Sequence, residues 1–338
     1  MPLTIHFLNV GHGDCTFVEL PSGRLMMVDI NNSKSLGDEE ELAADLNLSL
    51  AQFRYGTAAN LQKSWEQYYV DKLVDPTDYY LEKLAPTYGT AGVFRYIQSH
   101  PDMDHLSGLH RFFWQEKVPL QNFWDTAHSK TKEESDFEGT GHSHIDWLAY
   151  RLLSQGIGPD SPDVETKAHG FGNRHRHWTG QFWTDDNIEI LSPTPELVAN
   201  CNAKGNWNDA SYVFRISYGG RSVVLAGDAE AAAWDSMLEG AKDKLSCDIL
   251  KAAHHGRMSG HHADALEVMD PEYVICSVGN KKSVPDASPK YRDQGATVFS
   301  TRSRGSTTAK IWHDGEVWIT DSDGNLIGEL PALVAAKL

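Results

Sequence analysis

Four apolar segments of this chain each end on aspartate or histidine, and this pattern constrains the fold more than any other feature. The segments are "RLMMVDI", "GVFRYIQSH", "SVVLAGD" and "CDILKAAHH". Short apolar runs bounded by turn residues predict buried strands. If the strands are parallel, their carboxyl ends meet at one edge of a sheet, where open sheets place their sites. The sequence therefore predicts an α/β protein with a site at such an edge.

Further strands are predicted in both halves of the chain. "LTIHFLNV" and "CTFVEL" flank the turn "GHGD", and "IEILSP", "SYVFRISY", "EYVICSVG" and "ATVFST" precede a hairpin in "AKIWHDGEVWI". Helical segments such as "EAAAWDSMLEG" and "HADALEVM" lie between some of the strands. This order predicts two sheets sandwiched between helix layers.

The length of 338 residues suits one large domain, residues 1–338, with two insertions. Residues 33–76 are charged and rich in Ala, Leu and Gln, which predicts one or two helices whose aromatic residues join the core. Those aromatic residues are Trp65, Tyr68 and Tyr69. Residues 124–183 are polar and rich in Gly and His, apart from the helical stretch "IDWLAYRLLSQG", which predicts a loop insertion near a working face.

The composition argues against several classes of protein. A formal charge of -17, from 47 acidic and 30 basic residues, disfavours non-specific coating of nucleic acids. The four cysteines have no paired spacing, so neither a disulfide framework nor a thiolate zinc site is predicted. The start "MPLTIHFLNVG" resembles a strand, and no apolar run approaches the ~20 residues of a membrane span. We therefore expect a cytoplasmic protein without a membrane segment.

The stretch "SHPDMDHLSGLHRFF", residues 99–113, crowds metal-type side chains between a strand and a helix expected to begin near Met103. These side chains are His100, Asp102, Asp104 and His105. Imidazole nitrogens and carboxylate oxygens bind divalent metals, and several of them on one rigid turn suit one or two ions. The alternative is that the aspartates cap the helix and the histidines are ordinary loop residues.

Two later strands end in the same way. Asp228 follows "SVVLAG", and the pair His254 and His255 follows "CDILKAA". Asp228 also precedes a helical segment that it could cap, and the histidine pair could be structural. If the strand ends meet, one of the histidines is a metal ligand and the other an outer or acid/base group.

The motifs "NVGHGDCTFVELPSGRLMMVDI", "SHPDMDHLSGL", "SYVFRISYGGRSVVLAGDAE" and "DILKAAHHG" occur in this order. Together they resemble the metallo-β-lactamase superfamily, specifically the branch containing the hydrolase domain of the competence protein ComEC. The resemblance runs from about Leu3 to Thr301, apart from the insertions. It implies a four-layer αββα sandwich with a metal site along one edge of the two sheets, and a metal-dependent hydrolase.

The resemblance also implies roles for individual residues. One ion would be bound by His100 and Asp102, the other by Asp104 and His105, with Asp228 bridging the two divalent ions. His254 or His255 would complete the second ion's ligands or handle protons, with His254 named as the ligand and Asp104, Asp228 and His255 as the catalytic residues. Outside the ligands, Asp29 would orient the metal loop and Asn208 would support it.

This chain departs from the superfamily pattern at several positions. Asp102 stands where histidine is commonest, and a carboxylate there moves the preference from zinc toward manganese or magnesium. The usual third-motif histidine is replaced by "NWNDAS", which offers Asn206, Asn208 and Asp209, so one ion is expected to be held loosely. After "VICSVGN", where the branch tends to have a histidine, the chain offers only Asp286. The histidines of the polar insertion could supply a missing ligand but are expected to face solvent; they are His128, His142, His144, His169, His175 and His177.

An aspartate-rich two-ion site of this kind suits attack on a phosphodiester. The leading hypothesis is thus a zinc- or manganese-dependent phosphodiesterase or nuclease acting on DNA or a nucleotide. The negative charge favours a short or single-stranded substrate, for which "GNRHRHW" and "RSRGSTTAK" are the candidate basic strips. Two alternatives stay open: a hydrolase of a small ester, lactone or choline phosphodiester, and a non-catalytic regulatory or effector-complex subunit that retains metal. ComEC is a membrane channel protein, and this chain resembles a freestanding version of its hydrolase domain. Such a version could work together with a protein partner.

Overall fold

Fifteen strands are present in the part of the chain that the structure, a computed structural model, describes: residues 1–32, 39–40, 43, 48–56, 63–159, 172–177, 179–277 and 285–333. The strands are β1 (Leu3–Phe7), β2 (Thr16–Glu19), β3 (Leu25–Val28), β4 (Arg95–Ile97), β5 (Phe123–Asp125), β6 (Gly172–Asn173), β7 (Ile188–Ser192), β8 (Val213–Tyr218), β9 (Arg221–Leu225), β10 (Ile249–Lys251), β11 (Tyr273–Cys276), β12 (Thr297–Ser300), β13 (Thr307–Ile311), β14 (Val317–Thr320) and β15 (Leu326–Leu330).

The strands form two mixed sheets. The first has the order β15-β14-β13-β1-β2-β3-β4-β5-β6, and the second has the order β12-β11-β10-β9-β8-β7. Parallel pairing runs from β3 to β6 in the first sheet and from β9 to β12 in the second. The carboxyl ends of these parallel strands therefore point to one edge within each sheet, as the sequence predicts.

The helices lie between the strands in chain order. The α-helices are α1 (Leu50–Tyr55), α2 (Trp65–Val70), α3 (Pro76–Tyr79), α4 (Ala85–Tyr88), α5 (His144–Ser154), α6 (Gln181–Asp185), α7 (Pro195–Lys204), α8 (Ala231–Gly240), α9 (Ala263–Met269), α10 (Ser288–Asp293) and α11 (Thr301–Arg304). π-Helical turns span Tyr80–Leu84 and His110–Gln115. Short 3-10 turns span Met103–His105, Glu134–Phe137, Asn208–Ala210, Lys242–Lys244 and Ala253–Gly256.

Successive side chains of the central strands point to opposite faces, so each strand contributes to two cores. In β9, Val223 packs between the two sheets, whereas Val224 packs against the outer helices α7 to α10. In β3, Met26 packs between the sheets, whereas Met27 packs against the opposite helical layer, which includes α5. Strands buried on both faces are continuous apolar runs, which explains why the sequence located them. The layers are helix, sheet, sheet and helix, which is the predicted αββα arrangement.

The helix predicted to begin near Met103 differs from a regular α-helix. Its expected apolar side chains are fully buried: Leu106, Leu109, Phe112 and Phe113. The backbone, however, forms a 3-10 turn over Met103–His105 and a π-helical turn over His110–Gln115. Because Phe112 and Phe113 are consecutive and both buried, they do not fit the narrow apolar stripe of a regular surface helix.

The two insertions are described in part. In the first, α1 and α2 form a small separate core of Phe53 and Tyr69, against which Trp65 and Tyr68 are partly buried. In the second, α5 packs on the first sheet, and residues 160–171 lie outside the described residues. All four cysteines are buried and unpaired. None of the described helices combines the length and the apolar character that crossing a membrane requires.

Candidate metal centre

The predicted ligands follow the carboxyl ends of strands from both sheets. In the first sheet, β3 leads to Asp29 and β4 leads to the loop of residues 99–105. In the second sheet, β9 leads to Asp228, and β10 leads to the pair His254 and His255. The structure brings these segments together at the junction of the two sheets, where donor atoms from both lie within 4 Å of one another.

His105, Asp228 and His255 form the core of this junction, and Asp14 completes a group of four side chains whose donor atoms lie within 4.8 Å of one another. His105 Nε2 lies 3.3 Å from His255 Nε2 and 3.2 Å from Asp228 Oδ1. Asp104 Oδ2 lies 3.3 Å from His255 Nε2. Donor atoms about 2.0–2.2 Å from a tetrahedral ion lie about 3.3–3.6 Å from one another, so these spacings match the ligands of a single ion.

Two buried atoms at the junction indicate a cation site. Within the part of the chain that the structure describes, His100 Nε2 and Asp228 Oδ1 are shielded from solvent and have no hydrogen-bond partner. Because a buried polar atom without a partner is costly, such atoms in a folded protein mark a strained or liganded site. The residues present therefore fit a divalent metal ion. Imidazole with carboxylate is a donor set that both zinc and manganese accept.

Asp29 holds His105 in place. Its Oδ2 atom lies 2.8 Å from His105 Nδ1, and the carboxylate accepts hydrogen bonds from the Ser99 backbone N–H (2.7 Å) and hydroxyl (2.6 Å). A carboxylate acceptor keeps the proton on Nδ1 and leaves the Nε2 lone pair directed toward Asp228. This is the orienting role that the resemblance implies.

His255 is held by residues that the sequence analysis missed. Its Nδ1 atom lies 3.3 Å from Ser277 Oγ and 3.5 Å from Asp14 Oδ1. Both Asp14 oxygens are engaged by donors, one by the Ser277 hydroxyl and the other by Lys251 Nζ at 2.8 Å. Asp14 is therefore better placed to orient His255 than to bind the ion itself.

His254 lies farther from the group than His255. Its Nε2 atom is 3.6 Å from Asp228 Oδ2 and 3.3 Å from an Arg257 nitrogen, and its Nδ1 atom is 3.0 Å from Glu230 Oε1. The described residues contain two groups of potential metal ligands: Asp14, His105, Asp228 and His255 form one, and His12, Asp104 and His255 form the other. His255, by contrast with His254, belongs to both. The geometry thus favours His255 as the ligand and His254 as the outer group, a choice that the sequence left open.

Asn208 lies beyond Glu230. Its side chain hydrogen-bonds the Glu230 carboxylate, which in turn pairs with His254. Asn208 therefore reaches the centre through two other side chains. The neighbouring Asp209 is directed away, because it accepts hydrogen bonds from the Ala233 N–H at 3.0 Å and from the Asn206 amide at 2.9 Å.

The remaining residues of the motif have basic neighbours. Asp102 is bound by the ammonium of Lys130, and Asp104 Oδ2 lies 3.3 Å from His12 Nε2. His12 also contacts an Arg257 nitrogen at 2.9 Å. His12 comes from the "GHGD" turn, which sequence reasoning treated only as a turn.

Electrostatics favour a cation at the four-residue group. Burial raises the pKa of Asp228, but the neighbouring histidine charges outweigh burial and hold that pKa well below its usual range. Burial lowers the pKa of His255, but the carboxylates of Asp228 and Asp14 raise it to about 9. For His105 the same carboxylate effect, from Asp228 and Asp29, outweighs burial and raises the pKa well above its usual value. The centre therefore attracts protons, which a divalent ion would displace.

Beside the centre, burial lowers the pKa of His100, with a further contribution from the charge of His105. Burial raises the pKa of Asp104, but hydrogen bonds from His12 and His255 outweigh burial and lower that pKa well below its usual value. Ion-pairing groups at a cleft with such shifted pKa values are typical of functional sites.

The insertion histidines lie outside the metal groups found in the described residues. His128 bonds the Tyr150 hydroxyl, and His142 Nδ1 lies 2.7 Å from Ser107 Oγ. His144 contacts the ring of Phe137. His175 is partly buried, His177 is exposed, and His169 lies outside the described residues.

The predicted basic strips are largely engaged within the fold. Arg176 donates to the Leu191 carbonyl at 2.6 Å and to the Ser236 hydroxyl at 3.0 Å. Arg302 is buried. Two other basic groups, Lys130 and Lys132, line a cleft of about 250 Å³ together with His12, Asp102 and Asp104.

A larger cavity of about 660 Å³ lies away from the candidate ligands, between α6, β7 and the end of α8. We assign the site to the smaller cleft. Of the two, it is the one lined by potential metal ligands.

One sequence signal could have revealed His12 and Asp14. β1 and β3 are both antiparallel to β2, so the turn after β1 lies at the same edge of the sheet as Asp29. Gly13 in this turn has φ +134°, and a Cβ there would lie 2.3 Å from the Asp104 carbonyl oxygen. The turn and the metal loop are therefore packed directly together.

The chain was compared with known proteins by sequence and by structure. No protein-family model matches the chain. The competence protein ComA of Neisseria gonorrhoeae is 26% identical over 104 residues, which are 31% of this chain and 14% of ComA. The chain thus matches a small part of that relative's length.

Two solved structures are similar over nearly the whole chain. The metallo-β-lactamase fold protein YhfI from Bacillus subtilis covers 94% of this chain and 100% of its own, with 12% identity and a TM-score of 0.41. The metallo hydrolase Igni18 from Ignicoccus hospitalis covers 95% and 99%, with 12% identity and a TM-score of 0.41. The chain's own topology is a four-layer arrangement of two mixed sheets between helices. Its two sheets, its outer helices and the position of its candidate ligands at the strand ends agree with the resemblance drawn from the motifs.

Proposed function

We propose that this protein is a metal-dependent hydrolase that cleaves a phosphodiester of a nucleotide or of short single-stranded nucleic acid. The observation that carries the proposal is the buried group of His105, Asp228 and His255, with Asp104 3.3 Å from His255, beside a cleft lined by Lys130 and Lys132. A site with both a metal-type donor set and ammonium groups suits an anionic substrate, in a chain whose net charge of -17 disfavours long polyanions elsewhere.

A bound divalent ion would lower the pKa of a coordinated water and offset negative charge on the phosphoryl oxygens. The protein's own residues prepare this chemistry. Asp29 and Asp14 fix the ring orientations of His105 and His255, as the hydrogen bonds described above show. Fixed ligand orientation is a large part of such a site's affinity and rate.

The lysines of the cleft would bind the substrate anion. The Lys130 side chain is mostly buried and its ammonium also lies 5.1 Å from the centre of the Trp207 ring. An ammonium held in this way can donate to a phosphoryl oxygen at little additional entropic cost.

His254 is placed to handle a proton at the edge of the site. Glu230 binds its Nδ1 atom, and the Nε2 atom faces the Asp228 carboxylate. A carboxylate-supported imidazole can donate a proton to the departing oxygen of a phosphodiester. Partial exposure of the ring allows it to exchange that proton with solvent.

The decisive experiment measures release of nitrophenol from bis-p-nitrophenyl phosphate with added Mn²⁺ or Zn²⁺. Asp104→Ala and Asp228→Ala are expected to abolish the release. Asp136→Asn is the matched control, because Asp136 is an exposed aspartate of the same cleft outside the metal groups of the described residues. Unchanged release in the first two variants would contradict the proposal.

A substrate panel then tests the phosphodiester assignment. We expect cleavage of single-stranded DNA or cyclic dinucleotides, and none of lactones. Lactone or ester cleavage alone would favour the small-ester hydrolase of the same fold. A folded, metal-bound protein that cleaves none of these would favour a non-catalytic subunit with a protein partner.

A further inference from the structure

Lys130 contacts Asp102, a residue expected to bind one of the two metal ions. Its ammonium binds Asp102 Oδ1, and its side chain is 15% exposed. The Trp207 ring lies 5.1 Å from Lys130 Nζ, and the Lys130 backbone N–H donates to His128 Nδ1 at 3.0 Å. The lysine is therefore anchored at both its backbone and its ammonium.

Few donors remain for a second ion on this side of Asp228. His100 is present, with its Nε2 atom 3.5 Å from Asp228 Oδ2 and without a hydrogen-bond partner among the described residues. A single imidazole does not make an ion site by itself, and Asp102 is already neutralised by the lysine. The two groups of potential metal ligands among the described residues contain neither His100 nor Asp102.

The side chains that could complete this half-site are directed elsewhere. Asp209 accepts hydrogen bonds from Ala233 and Asn206, as described above. His128 bonds the Tyr150 hydroxyl with one ring nitrogen and the Lys130 backbone with the other. Burial lowers the pKa of His128 to about 3, so this ring is neutral and adds no charge.

We propose that the ammonium of Lys130 replaces one of the two metal ions, so that the centre binds a single divalent ion at His105, Asp228 and His255. The inference rests on the proposed metal centre and gives its composition. An ammonium supplies one positive charge where a divalent ion would supply two, and one charge suffices for the single carboxylate of Asp102. Its three N–H donors can serve Asp102 and a substrate oxygen together.

This composition has a consequence for substrate binding. In a two-ion site, both cations clamp the oxygens of the substrate. Here one side of the clamp is a lysine, which binds an anionic oxygen but cannot activate a second water. The centre is therefore suited to a phosphate diester or another anion that fits between the ion and Lys130.

Metal content tests the inference without reference to activity. Purified wild type is saturated with Zn²⁺ or Mn²⁺ in separate samples, desalted, and its metal per chain is measured by inductively coupled plasma mass spectrometry. We expect one ion per chain in wild type and two in Lys130→Ala, which leaves Asp102, His100 and Asp228 open to a second ion. Lys132→Ala is the matched control and is expected to keep one ion.

A second variant covers failure of the first to fold. Asp102→Asn should keep one ion per chain, because Asp102 binds Lys130 and not metal. Thermal unfolding identifies a misfolded variant. Two ions in wild type, one ion in folded Lys130→Ala, or loss of metal in folded Asp102→Asn would overturn the role of Lys130 while leaving the metal centre intact. A wild type without bound ion would overturn both proposals.

Discussion

Asp29 is predicted to set the form of His105 that can bind a metal ion. The buried carboxylate faces His105 Nδ1 at 2.8 Å, and it also faces the Ser99 N–H at 2.7 Å, the Ser99 hydroxyl at 2.6 Å and the Gln98 amide at 3.2 Å. An ionised carboxylate only accepts hydrogen bonds, so His105 carries its proton on Nδ1 and keeps the Nε2 lone pair for a metal. Asp29→Asn changes this arrangement with little change in side-chain volume.

The amide of the variant has one oxygen for four donors. If that oxygen keeps the Ser99 N–H, the amide NH₂ group faces His105 Nδ1, and two donors oppose each other. His105 then moves its proton to Nε2, the atom that would bind the ion. Loss of such an outer partner costs about 10–100-fold in metal affinity, which corresponds to about 1.4–2.7 kcal/mol.

Isothermal titration calorimetry with Zn²⁺ and Mn²⁺ measures this loss. Asp75→Asn is the matched control: Asp75 is also a buried aspartate, but it caps α3 by accepting from the Thr77 N–H at 2.9 Å and lies outside the metal groups of the described residues. The control is expected to lose stability and to keep its metal affinity. Wild-type metal affinity in folded Asp29→Asn would refute the reasoning.

Three further predictions concern the ion, the metal loop and a buried carboxyl group. Removal of the ion by a chelator should abolish hydrolysis and lower the melting temperature, because the ligand carboxylates then repel one another. Added Mn²⁺ or Zn²⁺ should restore both the activity and the melting temperature. Full activity in chelator would contradict a metal centre. Gly13→Ala should lower the free energy of unfolding in urea by about 2–5 kcal/mol and weaken metal binding, because its Cβ would lie 2.3 Å from the Asp104 carbonyl oxygen. The control Gly139→Ala, whose Cβ would have no atom within 4 Å, should lower the free energy of unfolding by about 1–2 kcal/mol. Burial raises the pKa of Asp125 from 3.8 to about 7, so the wild-type protein loses stability as the pH rises between these values. The free energy of unfolding of Asp125→Asn, measured relative to wild type, should therefore rise by about 3 kcal/mol between pH ~4.5 and pH ~7.5. Urea unfolding in chelator at both pH values, with the exposed Asp293→Asn as control, measures this gain, and a pH-independent difference would contradict the raised pKa.

The strands that carry the site could be predicted because they are buried on both faces. β9 ends in three consecutive apolar residues and β10 begins with two, and these runs are visible in the sequence. β15 was not predicted, because Leu326 is half-exposed and the strand is recognisable only by its pairing with β14. The three-residue strand β5 is too short to show a period.

α7 also escaped prediction, although its signals are present. Thr194 accepts from the Leu197 N–H at 3.1 Å, Pro195 occupies the first turn, and Gly205 ends the helix with φ +70°. These are ordinary start and stop signals, but the intervening "ELVANCNAK" has a weak apolar stripe.

The residues around the candidate ligands were harder to predict than the ligands themselves. Asp228 and His255 could be singled out because each follows an apolar strand. Lys130 lies in a polar insertion without a periodic pattern, and only the folded chain places it against Asp102. Glu230 resembles a helix-starting residue in the sequence, and its contact with His254 depends on the packing of β9 beside β10.

The pairing of β1 with β13 affects how the chain is made. Leu3 lies opposite Ile311, so β1 emerges from the ribosome long before its neighbour. At about 5–20 residues per second, translation of the intervening chain takes about 15–60 s. During that time one edge of β1 is open to pairing with other chains. We therefore expect the nascent protein to aggregate readily, and slower synthesis with abundant chaperones to improve its recovery.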